Sequence, residues 1–263
     1  MKRGYTDVPE GQIHYRTEGS GESILLLHMA AASSDEYTRV IHYLSKTYRA
    51  IAMDFLGYGE SDKAPHEYQI PDHARTVLSF MDSLGIKKAS VVGHHIGAQV
   101  GLELAATWPD RVNKLVLSSC VYHRDPKEGE SMRNLPHVSR VEIDPEGGHL
   151  MEWWRRAKRW GDPMEIAEER ALEYHKAGPR GEELHWAGFA YGVKVNEVAP
   201  RVTCPTLVLS GTRDPGFKKS DDIKKLISRS KITIIENGPV YIDRVMPKEF
   251  AEAILAFLEN PGV

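Results

Sequence analysis

The sequence predicts an α/β fold: a mostly parallel central sheet flanked by helices, with a helical cap inserted into it. Three observations carry this. Short apolar runs alternate with segments of helical spacing, the pattern of a parallel sheet covered on both faces. One long stretch, residues 121–198, holds no clear buried strand. That same stretch carries four of the five tryptophans (Trp153, Trp154, Trp160 and Trp186) amid dense charge.

Taken in order, residues 12–17 and the apolar run 24–27 read as strands. Tyr37, Val40, Ile41 and Leu44 recur at helical spacing, so residues 35–45 read as a helix with Ser34 as its N-cap. Residues 49–53 form a strand, and residues 71–84 a helix with Pro71 at its start and Gly85 past its end. Strand 89–92, helix 98–107 and strand 115–118 follow. Within the tryptophan-rich stretch, residues 151–160 have helical spacing. Strands 206–209 and 232–235 and an amphipathic helix 248–258 close the chain. The expected division is a core of residues 1–120 and 199–263 with a helical cap of residues 121–198. The cap leaves and re-enters at carboxyl ends of strands, where open α/β sheets carry their active sites.

Composition narrows the function. The 263 residues include 34 Lys plus Arg and 37 Asp plus Glu, a net charge of −3. That balance argues against nucleic-acid partners and a polycationic membrane patch. A small-molecule partner, apolar or aromatic under a tryptophan-bearing lid, is expected. Cys120 and Cys204 cannot build a disulfide framework and read as buried thiols. No apolar segment follows Lys2-Arg3, and no run is long enough to span a bilayer, so the expected location is cytoplasmic. There is no P-loop and no dinucleotide glycine spacing, so no cofactor is implied.

Five motifs then fall in order. Leu25-Leu26-Leu27-His28-Met29 ends a strand. Asp54-Phe55-Leu56-Gly57-Tyr58-Gly59-Glu60-Ser61 is a glycine loop of the form D-x-x-G-x-G-x-S. Val91-Val92-Gly93-His94-His95-Ile96-Gly97 is a strand–turn–helix sequence. Leu207-Val208-Leu209-Ser210-Gly211-Thr212-Arg213-Asp214 ends on an acid. Gly238-Pro239-Val240 precedes Pro247-Lys248-Glu249-Phe250. In this order the motifs resemble those of the α/β-hydrolase superfamily across nearly the whole chain. The third motif matches its nucleophile elbow, G-x-S-x-G.

The resemblance breaks at two points. The elbow position that holds Ser, Cys or Asp in the family is His95 here, and the position of the late histidine is Val240. A Ser-His-Asp mechanism therefore does not carry over to these positions. The two changes complement each other. An imidazole reaches farther from its backbone than a serine hydroxyl, and a valine leaves space where a histidine ring usually sits. His95 is thus expected to meet Asp214. Such a dyad leaves one ring nitrogen free as a general base, for attack by water on a carbonyl or for proton removal. The resemblance implies an oxyanion hole from the N–H groups of Ala30 and Ile96, with Met29 standing where Gly is usual.

The expected activity is hydrolysis of an ester, lactone or related carbonyl compound. The alternatives are a lyase or decarboxylase using the same dyad, or a non-catalytic ligand-binding protein. His28, Met29, His94, His123, His149, Val240 and Tyr241 are candidate pocket residues. His94 and His28 also read as packing histidines, and His123 as a second base or a cap hinge. The adjacent His94 and His95 diverge on a tight turn with no carboxylate at ligand spacing, so no metal is expected.

Overall fold

The computed structural model describes residues 1–263, the side chain of His137 apart. The first strands are β1 (Lys2–Val8), β2 (Gly11–Glu18) and β3 (Ser23–Leu27), followed by helix α1 (Thr38–Leu44). Next come β4 (Arg49–Met53), α2 (Ile70–Ser83), β5 (Ala89–His94), α3 (Ile96–Thr107) and β6 (Val112–Ser118). Helices α4 (Pro126–Arg133), α5 (Gly148–Ala157), α6 (Met164–Ala177), α7 (Glu183–Tyr191) and α8 (Val195–Val198) follow. Among the described residues no strand interrupts them. The chain returns through β7 (Thr206–Gly211), α9 (Ser220–Leu226), β8 (Ser230–Ile235), α10 (Ile242–Val245) and α11 (Pro247–Glu259).

The eight strands form one sheet in the order β1-β2-β4-β3-β5-β6-β7-β8. From β4 to β8 every pairing is parallel, while β1 and β2 run antiparallel at one edge. Alternation along the strands divides the core. Leu25, Leu27, Val91, Leu115, Leu117 and Val208 pack with α2 and α3. Their neighbours Ile24, Leu26, Val92, Val116, Leu207 and Leu209 pack with α1 and α11. Strands buried on both faces read as unbroken apolar runs, which is why the sequence betrays them.

One strand went unread in the sequence, and two local expectations are corrected. Strand β1 has no buried residue, so it offered no apolar run to read. The expected helix 35–45 opens as a 3₁₀ turn, Ser34–Tyr37, and its cap is Ser33, whose Oγ accepts from Asp35 N at 3.2 Å. Ser34 cannot serve, because it lies within that turn and its own N–H goes to Asp54 Oδ1. Helix α3 starts at Ile96 rather than residue 98, directly after the turn that matters most. Cys120 and Cys204 are buried free thiols. Among the described residues no helix is long and apolar enough to cross a membrane.

Candidate active site

Strand β5 delivers its last residues to the carboxyl edge of the sheet and turns abruptly into α3. His95 occupies that turn with φ 49° and ψ −111°, a strained conformation for a residue with a Cβ. Two glycines permit the close approach. A Cβ on Gly93 would meet Gly97 O at 2.2 Å, and one on Gly97 would meet Leu27 O at 2.1 Å. The turn is held by His95 N donating to Ser118 O at 2.9 Å and Ala98 N donating to His95 O at 3.1 Å.

From this perch the imidazole spans the end of β6. His95 Nε2 lies 2.8 Å from Asp214 Oδ2, just past the end of β7. Asp214 is 3 % exposed, and its other oxygen accepts from Gly216 N at 2.6 Å. Burial alone would raise this carboxyl. The His95 imidazole beside it, through its hydrogen bond, and the Gly216 N–H outweigh it and hold the group below its usual value. Asp214 is therefore a carboxylate, which only accepts. Nε2 must carry the proton, and Nδ1 of neutral His95 is left as a lone pair. Nδ1 has no partner among the described residues, and His95 lines the main cavity.

His94 and His28 are corrected as pocket residues: both are fully buried and neither lines the cavity. His94 Nε2 donates to Val240 O at 2.8 Å, while its Nδ1 accepts from Ser118 Oγ at 2.9 Å. Burial first, then the neighbouring His95, lowers its pKa to about 3, so it packs neutral beneath the turn. His28 Nε2 accepts from Phe55 N at 3.0 Å, which puts its proton on Nδ1, 2.7 Å from Met29 O. That bond polarises the Met29–Ala30 peptide, whose N–H belongs to Ala30.

The loop after β3 is pinned from behind. Met29 N donates to Glu36 Oε2 at 3.0 Å. The guanidinium of Arg170, on α6 and fully buried, donates to Ala31 O at 2.9 Å and Ala30 O at 3.2 Å. These two carbonyls flank the loop's strained residue, which is Ala31 at φ 51°. Met29 lies outside the left-handed region, so a side chain is tolerated where the family has Gly. The N–H groups of Ala30 and Ile96 find no acceptor among the described residues, and both residues line the cavity. Helix α6 is further tied to the core by Arg244 with Glu169 and Glu173, Arg39 with Glu169, and Ser33 with Glu173.

The cavity has a volume of about 640 Å³ and lies between the sheet edge and helices α4 to α7. Met29, His123, Val240 and Tyr241 line it as expected, but His149 does not. The His149 ring turns back on its own helix, accepting from Asp144 N at 3.2 Å and packing edge-on against Trp153. His123 is buried in the wall against Gly192, with neither ring nitrogen hydrogen-bonded and Nδ1 3.8 Å from Glu128 Oε2. Burial, then Lys219, lowers its pKa. Sequence reasoning missed Arg159, Tyr174 and Ser119 in this wall. Cys120 also lines it, and burial pushes its thiol up to about 12. Among the described residues no group of three or more His, Cys, Asp or Glu is placed to hold a metal ion.

A family model for the alpha/beta hydrolase fold matches residues 22–159. Haloalkane dehalogenase 2 of Mycobacterium bovis is 36% identical over 268 residues, covering 95% of this chain and 92% of that protein. The (E)-2-((N-methylformamido)methylene)succinate hydrolase of Acinetobacter baylyi is 26% identical over 254 residues, 94% of each chain. Among solved structures, a thermophilic esterase from Thermogutta terrifontis superposes with a TM-score of 0.83 at 22% identity over 100% of both chains. The chain belongs to the alpha/beta hydrolase family.

Proposed function

We propose that the protein is a cofactor-free hydrolase of an ester, lactone or related carbonyl compound, with His95 as general base and Asp214 as its orienting acid. The observation that carries this is the 2.8 Å contact between His95 Nε2 and Asp214 Oδ2, which leaves Nδ1 as a lone pair on the cavity side. In this reading a water donates its proton to His95 Nδ1 as its oxygen attacks the carbonyl carbon. The carbonyl oxygen becomes an oxyanion that accepts from the N–H groups of Ala30 and Ile96. Asp214 stabilises the imidazolium, which then returns the proton to the leaving oxygen. Residues 121–198 act as the cap that shapes the substrate space over a core of residues 1–120 and 199–263.

The test is a panel of esters, lactones and β-keto acids assayed with wild type, His95→Ala and Asp214→Asn. Turnover of an ester or lactone that both variants abolish, with the fold intact by circular dichroism, supports the reading. Turnover that survives His95→Ala refutes it, as does stoichiometric labelling of a serine near the elbow by a fluorophosphonate.

A further inference from the structure

One wall of the cavity presents donors with nothing to donate to. Arg159 lines it, and its guanidinium makes no hydrogen bond or ion pair with a described residue. Its guanidinium carbon lies over the Trp160 ring, 4.6 Å from the centroid. The other cations of the lining differ. Arg156 is held by Glu152 and Glu182, and Lys219 by Glu128. Lys127 is exposed on α4. Tyr174 and Tyr241 line the same cavity near Arg159, whose pKa is lowered by burial. The Arg170 guanidinium, which only donates, is a polar partner of both phenol oxygens, so each phenol O–H remains free to donate, and neither oxygen is among the buried unsatisfied atoms. Burial raises the pKa of both, so each keeps its O–H. Behind them the Arg170 guanidinium lies 5.0 Å from the Tyr174 ring and 5.3 Å from the Tyr241 ring.

No carboxylate of the protein answers this set. Asp162, just after Trp160, lies near enough to Tyr241 to raise its pKa, but it makes no ion pair or hydrogen bond with Arg159, Tyr174 or Tyr241. The position is close to the chemistry: Trp160 and Tyr241 pack in one cluster with Met29 and Val240, at the oxyanion loop and beside the elbow. A planar guanidinium with two phenol donors matches a carboxylate, which accepts two hydrogen bonds side by side.

We propose that Arg159, Tyr174 and Tyr241 form a carboxylate-binding subsite, so that the substrate is a carbonyl compound bearing a carboxylate group. This rests on the hydrolytic reading only for the word substrate; the subsite itself is a binding claim. It sharpens the expectation of an apolar ligand: the body of the ligand meets apolar walls and one end is anionic.

The test is calorimetric titration of wild type with 4-oxo-4-phenylbutanoate and with its uncharged carboxamide. The acid is expected to bind at least tenfold more tightly than the amide. Arg159→Gln should remove that preference while leaving amide affinity within about twofold, and Tyr241→Phe should weaken the acid by a smaller factor. His95→Ala should leave the preference intact, which separates this claim from the hydrolytic one. Equal binding of acid and amide by wild type, no acid binding at millimolar concentration, or an undiminished preference in Arg159→Gln overturns the proposal. If the preference stands but no carbonyl compound is turned over, the hydrolytic reading alone falls.

Discussion

His95 Nε2 and Asp214 Oδ2 stand 2.8 Å apart across the end of β6, joining the turns that follow β5 and β7 over the strand between them. The acid is doubly engaged, because its Oδ1 accepts from Gly216 N. Both contacts demand an acceptor. Asparagine offers only one oxygen. If that oxygen keeps the Gly216 N–H, the amide N–H₂ faces His95 Nε2 and forces the ring proton onto Nδ1, removing the base. Asp214→Asn should therefore lower kcat by roughly 10²–10⁴-fold with little change in melting temperature. Steady-state kinetics beside a thermal melt would check it, and a loss of activity explained by unfolding would refute the tautomer argument.

Arg170 is expected to separate stability from catalysis. Its fork serves Ala30 O and Ala31 O on either side of the strained Ala31, and its charge balances Glu173. Arg170→Lys keeps the charge but cannot make both carbonyl bonds. The oxyanion loop should then loosen, lowering kcat about tenfold with KM nearly unchanged. Arg170→Met also removes one of the two cations on Glu173, leaving Arg244 on that carboxylate, and should destabilise by about 1–3 kcal/mol. Urea denaturation and kinetics on both variants read the two effects apart. Equal kcat per folded Arg170→Lys enzyme would show that the clamp matters only for folding.

Much of this was legible in the chain because the decisive signals are local. Alternating strands and helices come from short-range periodicity, and the glycines around His95 mark a turn that only glycine allows. The His95–Asp214 contact could be anticipated from a long side chain at the elbow and a short one at position 240. Its ring orientation could not, because that depends on where a third segment places Asp214. Arg170 was invisible for a different reason. With Glu169 beside it and Glu173 one turn on, it reads as a solvated, salt-bridged helix face, yet long-range packing turns that face inward against the oxyanion loop. Arg159 looked like any other charge in a charged helix, because its lack of a partner is a property of three dimensions.

Stability should respond to pH through groups of opposite sign. Burial lowers His73 and His94 to about 3, so between that value and roughly 6.5 the unfolded chain binds their protons and the fold does not. Their contribution grows as pH rises through this window and is lost on acidification. Asp243 behaves oppositely. Burial raises it to about 7, so between the usual carboxylate value and 7 the fold holds a proton that the unfolded chain has released. That destabilises progressively as pH rises across this window. Asp243→Asn should thus stabilise the protein at pH 8 and be nearly neutral at pH 4. Denaturant midpoints at the two values decide it; a gain at pH 4 as large as at pH 8 would contradict the assignment.

The two departures from the family pattern should be reversible together and not singly. His95→Ser alone places a hydroxyl at the elbow with no base, since Asp214 can only accept from a ring that is gone. Val240→His alone brings a second imidazole against His95 in the same cavity wall, and the two compete for Asp214. Combined, His95→Ser and Val240→His restore a short nucleophile on the strained turn and a ring above it, with Asp214 free to orient that ring. The backbone carbonyl of residue 240 still accepts from His94, so the support beneath the turn survives the exchange. The double variant should become labelled by a fluorophosphonate at position 95, while wild type and both single variants stay unlabelled there. Intact-mass analysis after probe treatment gives the answer directly. An unlabelled but well-folded double variant would mean that the cavity no longer has room for the family's arrangement, and that His95 works in a site rebuilt beyond these two positions.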